Sequence, residues 1–573
     1  MKANKLLKGI VGGIACLVMG TSCDVEPTFY SQVVPENFYT SQNAVWQRFN
    51  RPFTHWRWTI GEDRARWELQ ELGTDEICVP TRGSDWYNGA VYQKIHHHEF
   101  TEDMVSIEGG WKEFSMGVSL TWDALEDIRN VDFDALKFEE GTFESMEAQL
   151  NTLAAHFYLD GLDMFGGVPL YTHTQGDMKP RSTDVETFNF IDSLLDVSIP
   201  NLPIKTELGA METNVIHRAV GAALKAKLYF NAKNYIGKEM YTEAAQICQD
   251  IIDGVYGEYA LATDWTNIFG WGNETCPEII WTVPSENAKM ESDGCFWGFT
   301  VPYNFKDFLG GLQDSGSDNG CCLLPSRDPE GNLYTYKLGN IYEDFHDKDV
   351  RKQEYVYEGD RKYRGLFIVG ELINPENPNW ICTGSREYIG QPLTVVDQIA
   401  YFAKVGEGKE YSSVSELEST IATAEENSGV RLMKRSPRPN QDEYKEKGNP
   451  DIPVIRLSEI YYMLAECKMR ANDKQGAADL INTVRLRYFE DGVDPDPVTA
   501  ANLDKYRMLK EWKLEFLGEG RRRTDLVRWD AYVTEDWWDH KATNNPNLNR
   551  FPIHYNVIGA NNLIEQNPGY GGN

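Results

Sequence analysis

The feature that most restricts the fold is a helical hairpin pattern rich in small residues, which occurs in both halves of the chain. Residues 456–470 place Leu457, Ile460 and Leu464 on one face of a helix. After a short polar link, residues 475–487 follow the same periodicity, with alanines on the apolar face. Two helices of this length joined by a few residues form an antiparallel hairpin.

A second hairpin of this kind is predicted at 219–235 and 241–252. Its first helix carries the small residues Ala222 and Ala226, and its second carries Ala244 near the start. Small side chains that receive bulky ones from the next helix are typical of tetratricopeptide-like repeats. Because the spacing between the hairpins is irregular, the sequence predicts repeat-like hairpins and not a regular solenoid.

Helical periodicity also predicts helices at 111–130, 143–165, 185–197 and 503–532. Between about 264 and 451 this periodicity fades, and Gly, Pro, Asn and Asp become frequent. Loops of such length are functional or disordered, and the Trp and Tyr content argues against disorder. We therefore predict a mainly α protein. A tetratricopeptide-like helical hairpin scaffold at about 23–263 and 452–573 supports an irregular, loop-rich ligand-binding lobe at about 264–451.

The charge of the chain excludes one class of partner. The formal net charge is −32, and an acidic surface repels the phosphates that a nucleic-acid-binding protein must contact. The 16 Trp and 29 Tyr residues exceed what a compact core needs. Trp and Tyr combine an apolar face with a polar edge, so a surplus of them favours a binding surface.

The N-terminus has the pattern of a bacterial export signal. Three lysines precede a short apolar run, which is too short to cross a membrane, and small residues then lead to Cys23. We predict a signal peptide at 1–22. The segment resembles a lipobox, in which Cys23 is lipidated, although Gly20 stands where the usual Leu would be. Simple secretion with cleavage nearby is the alternative.

Five stretches of the chain resemble the SusD/RagB family of outer-membrane nutrient-binding lipoproteins, in the order of that family. They are the lipobox-like start, FYLDGLDMFGGVPLYT at 157–172, ALKAKLYFNAKNY at 223–235, EWKLEFLGEGRRRTDLVRW at 511–529 and FPIHYNVIGANNLIEQNPGY at 551–570. In the last stretch His554 stands where the family usually has the second Pro of a Pro-Ile-Pro sequence.

The resemblance implies a helical protein with four tetratricopeptide-like hairpins and a less regular ligand-facing lobe. It also implies a surface-exposed position on the cell outer membrane through a lipid anchor. The implied partners are a polysaccharide or oligosaccharide and a SusC-type TonB-dependent β-barrel transporter. A peptide-binding, RagB-like uptake component is the alternative within the family.

The segment 74–92 supplies the residue types that bind sugars. Sugar rings stack on flat aromatic faces and offer hydroxyls to polar groups, and the turn-rich loop combines Arg82, Asp85, Trp86, Tyr87 and Asn88. Ligand contacts in the family come partly from this N-terminal loop. The alternative is that Trp86 only pins the loop to the helical body.

The loop-rich lobe supplies two further candidates. Trp297 lies close to glycines and Tyr303 follows Pro302, so that both can project from turns. Trp281 alternates with apolar neighbours and is expected in the core. The alternative is that Trp297 and Tyr303 pack between two lobes of the protein and do not contact a ligand.

Metal sites and a disulfide framework are not indicated, and the disulfide state of the individual cysteines stays open. The histidines at 96–98 can send only alternate side chains to one ion if they form a strand, and we expect a solvated strand edge. The acidic stretch DSGSDNG at 314–320 has Gly316 where a calcium loop needs Asp or Asn, and no closing Glu. Cys321 and Cys322 are too close for an unstrained bridge to each other.

An exported glycoside hydrolase is the competing class of protein, since it too would be rich in aromatics. It needs two carboxylates about 5 to 10 Å apart, which 88 acidic residues cannot exclude. No nucleophile elbow, phosphate loop or metal motif occurs. The arginines at 521–523 and Asp525 have the spacing of structural ion pairs. We predict a binding protein with no catalytic residue, cofactor or metal.

Overall fold

The computed structural model describes residues 39–174, 176–208, 215–285, 299–304, 308, 318–359, 362–374, 377–383, 387–406, 411–434 and 450–571. The predicted signal peptide at 1–22, the predicted lipidation site Cys23 and the candidate Trp297 lie outside the described residues. Among the helices that are described, none combines the length and the apolar run needed to cross a bilayer.

The α-helices are numbered in chain order: α1 Gln42–Gly61, α2 Ala65–Glu71, α3 Val91–His96, α4 Val105–Arg129, α5 Thr142–Phe165, α6 Asp184–Ser198, α7 Arg218–Phe230, α8 Ala232–Ile236, α9 Tyr241–Ile252, α10 Thr266–Phe269, α11 Ile341–Asp344, α12 Leu457–Arg470, α13 Lys474–Arg485, α14 Lys505–Phe516, α15 Arg522–Arg528 and α16 Tyr555–Ala560. The strands are β1 Ile77–Cys78, β2 Ile279–Val283, β3 Cys322–Leu323, β4 Val356–Gly359, β5 Lys362–Arg364, β6 Phe367–Ile368, β7 Gly370–Glu371, β8 Thr394–Val395, β9 Arg431–Leu432 and β10 Ile452–Arg456. The mainly α fold predicted from the sequence is confirmed.

The long helices pack as a continuous array, each against the next. Helix α1 contacts α4, and the contacts then run through α5, α6, α7 and α9 to α12 and α13. Because α9 packs directly on α12, residues 253–456 leave the array and return to it. Strand β2, near the start of this segment, pairs with β10 at its end. The pair joins the place where the chain leaves the helical array to the place where it returns.

Small residues let the helices approach closely, as the hairpin pattern predicts. In α7 the side chains of Ala222, Ala223 and Ala226 are buried. A Cβ atom on Gly117 in α4 would lie 2.5 Å from the ring of Phe157 in α5, so that only glycine fits there. The expected core position of Trp281 is also found: its ring is fully buried.

The predicted helix at 503–532 is not continuous. It breaks between α14 and α15, where Gly518 and Gly520 have φ angles of 72° and 74°. The backbone N–H of Gly518 donates to Glu76, and those of Gly520 and Arg521 donate to Glu71. The break therefore docks the C-terminal helices on the N-terminal part of the array.

Residues 96–98 are not the solvated strand edge that we expected. His96 ends α3, and both His96 and His98 are buried. Nε2 of His98 lies 2.7 Å from the carbonyl oxygen of Gly73, and Nε2 of His96 lies 3.1 Å from that of Trp538. Burial holds the pKa of both histidines well below the ordinary value, so these side chains are neutral core residues.

Candidate ligand-binding site

The candidate loop leaves β1 and turns back before α3. Arg82 and Asp85 exchange two backbone hydrogen bonds of 3.0 Å. The φ angles of Trp86, Asn88 and Ala90 are then 63°, 42° and 65°. Three non-glycine residues in the left-handed region cost conformational energy, which persists only where the surroundings hold the chain. Such strain clusters at functional sites.

Arg82 holds this loop from inside. Its Nη1 donates to the carbonyl oxygens of Glu425 and Ser428 at 2.6 and 2.9 Å. Its Nε and Nη2 donate to the carbonyl oxygen of Gly320 at 3.4 and 3.3 Å. The residue is only 3% exposed. The direct ligand contact that we predicted for Arg82 does not fit this buried position, because the guanidinium ties three chain segments together.

Trp86 and Tyr303 connect the loop to the lobe. The Trp86 indole Nε1 donates to the carbonyl oxygen of Asp318 at 2.8 Å, and the ring meets Phe299 edge to face at 4.9 Å. The Tyr303 hydroxyl donates to Asp85 Oδ2 at 2.5 Å. Both aromatic residues are half-buried. The structure thus brings the two segments together, although they are more than 200 residues apart in the sequence.

Tyr87 and Asn88 form the outer face of the loop. Tyr87 is 55% exposed, the highest value among the aromatic candidates that the structure describes. Asn88 is also exposed, and its amide reaches the hydroxyl of Tyr92. An exposed ring beside an exposed amide, on a backbone fixed from below, provides a flat face and a hydrogen-bonding group for a ligand.

A neighbouring segment of the lobe adds residues that we did not predict. A Cβ atom on Gly83 would lie 3.5 Å from Glu387 Oε1, which accepts a 3.1 Å hydrogen bond from the Tyr401 hydroxyl. Tyr388 donates to Glu425 Oε1 at 2.6 Å. Tyr388 precedes a glycine by two positions, a context similar to the glycine-flanked one that singled out Trp297. No sequence signal indicated that Glu387, Tyr388 and Tyr401 lie close to the loop.

Glu425 is a buried carboxyl group beneath the candidate loop. It is fully buried, accepts from Tyr388 and also accepts from the backbone N–H of Ala403 at 3.0 Å. Burial outweighs these hydrogen bonds and raises its pKa to about 7. It lies beneath the surface, so it supports the site and does not provide an exposed acid.

A separate cavity of about 230 Å³ lies deeper in the molecule. Its walls include Trp67, Trp281 and Phe516, but none of the candidate site residues. Charged groups in its wall form ion pairs, as in the 2.9 Å contact between Arg66 and Asp160. We therefore place the candidate site at the exposed loop and not in this cavity.

Acidic, histidine and cysteine side chains do not gather into a metal-binding group within the described ranges. Of the acidic stretch at 314–320, residues 318–320 are described. The carbonyl oxygens of Asp318 and Gly320 accept from Trp86 and Arg82, and Asn319 Oδ1 accepts from Arg431. In this part of the stretch the oxygens accept hydrogen bonds from side chains of the loop and of β9.

Comparison with known proteins gives consistent relatives. The starch-binding protein SusD of Bacteroides thetaiotaomicron is 23% identical over 445 residues, which cover 74% of this chain and 72% of that protein. Among solved structures, surface glycan-binding protein A from Bacteroides thetaiotaomicron in complex with laminarihexaose has a TM-score of 0.65 and 16% identity. The match covers 92% of this chain and 100% of that one.

A SusD superfamily protein from Parabacteroides distasonis matches with a TM-score of 0.64 and 15% identity, over 94% of this chain and 100% of that chain. At such identities the structural matches show a shared fold alone. The family model described as the SusD family matches residues 277–570, just over half of the chain. This chain belongs to the SusD family.

Proposed function

We propose that the protein is a non-catalytic, cell-surface glycan-binding lipoprotein whose exposed loop captures oligosaccharide or polysaccharide. The observation that carries this proposal is the exposed pair Tyr87 and Asn88 on a loop fixed by Arg82 and Trp86. The starch-binding and laminarihexaose-bound proteins named above support a sugar as the ligand. Asp85, Trp86 and Tyr303 line the inner edge of the proposed surface, and Trp297 remains a candidate contact.

The geometry suits a shallow platform. Each sugar ring that stacks on an aromatic face contributes on the order of 1 kcal/mol beyond its buried area. A single contact of this strength is weak, and repeated units along a polymer compensate by avidity. A lipid at Cys23 would add to this effect, because it holds the protein at the outer membrane where polymer is present.

We further propose that the captured glycan passes to a SusC-type TonB-dependent transporter in the same membrane. Membership of the SusD family and the lipobox-like N-terminus support this partner and location. Peptide uptake in the RagB manner and an exported glycoside hydrolase are the alternatives, and they predict different results in one experiment.

That experiment is native affinity electrophoresis of the purified protein through gels that contain one polymer each. Starch and laminarin head the panel, and casein-derived peptides are tested by calorimetry. Tyr87→Ala is compared with Tyr555→Ala, because Tyr555 is 54% exposed on α16 and so is a matched exposed tyrosine away from the loop.

We expect at least one polysaccharide to retard the wild type and Tyr555→Ala, while Tyr87→Ala migrates as in a blank gel. No sugar should be released from the polymer. Retardation that is equal for both variants rejects the loop as the site. Peptide binding without glycan binding favours the RagB-like alternative, and release of product identifies a hydrolase.

A further inference from the structure

The short β1–β3 pair brings two cysteines face to face. The strands are antiparallel, with Ile77 opposite Leu323 and Cys78 opposite Cys322. The backbone N–H of Leu324 donates to the carbonyl oxygen of Glu76, which lies opposite it. Hydrogen-bonded pairs alternate along antiparallel strands, so Cys78 and Cys322, two positions further on, are again a hydrogen-bonded pair. Such pairs have Cα atoms about 5.5 Å apart, within the range that disulfides use.

The two sulfur atoms already point at each other. Their Sγ atoms are 3.9 Å apart, and both residues are buried. Gly429 closes the site from a third segment: a Cβ atom there would lie 2.4 Å from the Cys322 sulfur. The adjacent Cys321 does not compete, because its sulfur contacts the Thr300 hydroxyl at 3.1 Å.

We propose that Cys78 and Cys322 form a cross-strand disulfide, which fastens the base of the candidate loop to the lobe. The loop leaves β1 directly after Cys78, and the segment that accepts from Arg82 and Trp86 enters β3 at Cys322. One covalent bond at this point joins both sides of the loop anchor.

The reaction is an exchange with a protein or small-molecule disulfide of an oxidising compartment, and it takes place during folding, before the site closes over the two sulfur atoms. The Cys322 thiolate attacks one sulfur of the oxidant and releases one thiol, which gives a mixed disulfide. The Cys78 sulfur then loses its proton, displaces the second thiol and completes the bridge. One disulfide is consumed and two thiols are formed, so two electrons pass from the protein to the oxidant.

The charges around the pair favour this order of attack. Burial opposes ionisation of Cys322, but the contact with the Cys78 thiol and the guanidinium groups of Arg82 and Arg431 hold its pKa below the ordinary value. Burial raises the pKa of Cys78 well above the ordinary value. The thiolate is the nucleophilic form, so these charges favour Cys322 as the attacking residue and Cys78 as the resolving one.

The test refolds the purified protein with oxidised glutathione, traps free thiols with iodoacetamide and maps the peptides by mass. We expect one peptide pair, linked through Cys78 and Cys322, in the wild type and in Cys321→Ala. Cys78→Ala and Cys322→Ala should lack the link. Because the two cysteines are 244 residues apart, closing this loop should raise the Tm by about 4 °C over the reduced protein.

Alkylated Cys78 and Cys322 in the oxidised wild type would overturn the proposal, and so would a link from Cys78 to another cysteine. Because the mass readout uses the wild type, it stands even if a variant fails to fold. The assay contains no ligand, so its outcome is independent of the glycan-binding proposal.

Discussion

Two adjacent aromatic residues of the loop have different tasks. The indole N–H of Trp86 is engaged by Asp318, and its ring packs on Phe299. More than half of Tyr87 is exposed. Trp86 therefore stabilises the loop at the edge of the proposed ligand surface, whereas the exposed ring of Tyr87 is the part of the loop that we propose to contact a ligand.

Alanine substitutions separate these tasks. Trp86→Ala is expected to lower the free energy of unfolding by about 2 kcal/mol, through the lost hydrogen bond and ring contact, and also to weaken glycan binding. Tyr87→Ala should weaken binding and leave the Tm unchanged. Thermal unfolding and titration calorimetry with a polymer that retards the wild type measure both effects. A Trp86→Ala protein with the wild-type Tm contradicts this division.

Glu425 makes the site region sensitive to pH. Burial raises its pKa from 4.5 to about 7. Because the folded pKa lies above the unfolded one, the group favours the folded state below pH 4.5, and this contribution is lost as the pH rises through 7. Glu425→Gln imitates the protonated form and removes this dependence.

We compare the free energy of unfolding at pH 5 with that at pH 8 in the wild type and in Glu425→Gln. The gain in stability at pH 5 should be about 2 kcal/mol larger in the wild type than in the variant. Thermal unfolding at the two pH values measures it, and the buried histidines cancel in the comparison. Glu416→Gln, an exposed carboxyl group of the same lobe, is the control and should follow the wild type. Parallel behaviour of Glu425→Gln and the wild type would reject the raised pKa.

At the scale of the element, local patterns predicted what local forces decide. The apolar faces of 143–165 and 185–197 predicted α5 and α6 to within one residue at each end. A helix that buries one face has apolar residues at helical spacing, and this spacing is visible in the sequence. The break after α14 was missed. The paired glycines at 518 and 520 were a local warning, but their partners Glu71 and Glu76 lie more than 400 residues away.

The candidate site follows the same rule. The sequence identified the loop from its aromatic and turn residues, which are local signals. It could not distinguish the inward Arg82 from the outward Tyr87, because the carbonyl partners of Arg82 lie 238 to 346 residues away. The contribution of Glu387 and Tyr401 depends on the same long-range folding of the lobe.

The glycine break can be tested directly. Gly518→Ala is expected to destabilise the protein by about 2 kcal/mol, because a side chain resists its positive φ and the new Cβ would lie 2.8 Å from Leu432. Gly559→Ala in α16 is the control: its Cβ position has nothing within 4 Å, and alanine favours a helix. Chemical denaturation compares the two variants. Equal stability would show that the break imposes no backbone requirement.

At the scale of the whole molecule, a buried ionic network holds the lobe against the helical array. Glu515 in α14 accepts from Arg456 in β10 at 2.5 Å, from Arg487 at 2.8 Å and from the Tyr488 hydroxyl at 2.7 Å. Arg351 of the lobe lies 3.6 Å away. Burial opposes the charge of Glu515, but these arginines outweigh it and lower its pKa to about 2.

This network makes the fold sensitive to acid. A carboxyl group with a lowered folded pKa contributes stability above its unfolded pKa of 4.5 and loses it as the pH falls through 2. The carboxyl groups with raised pKa, such as Glu425, are protonated in both states below pH 4.5 and cannot oppose the loss. His96 and His98, buried in neutral form, act in the same direction, since the unfolded chain gains protons there as the pH falls.

Glu515→Gln is therefore expected to have an effect that depends on pH. At pH 7 it should lower the free energy of unfolding by about 3 kcal/mol, because buried arginines lose a charged partner. At pH 3 the difference in free energy of unfolding between variant and wild type should be about 2 kcal/mol smaller. The wild type has by then lost most of the stability that the ionised Glu515 contributes. Thermal unfolding at both pH values measures the deficit, with the exposed Glu239→Gln, which should match the wild type, as control. A deficit that is the same at pH 3 and pH 7 would mean that Glu515 acts through packing and hydrogen bonds alone, and that the ionic network does not set the acid limit of the fold.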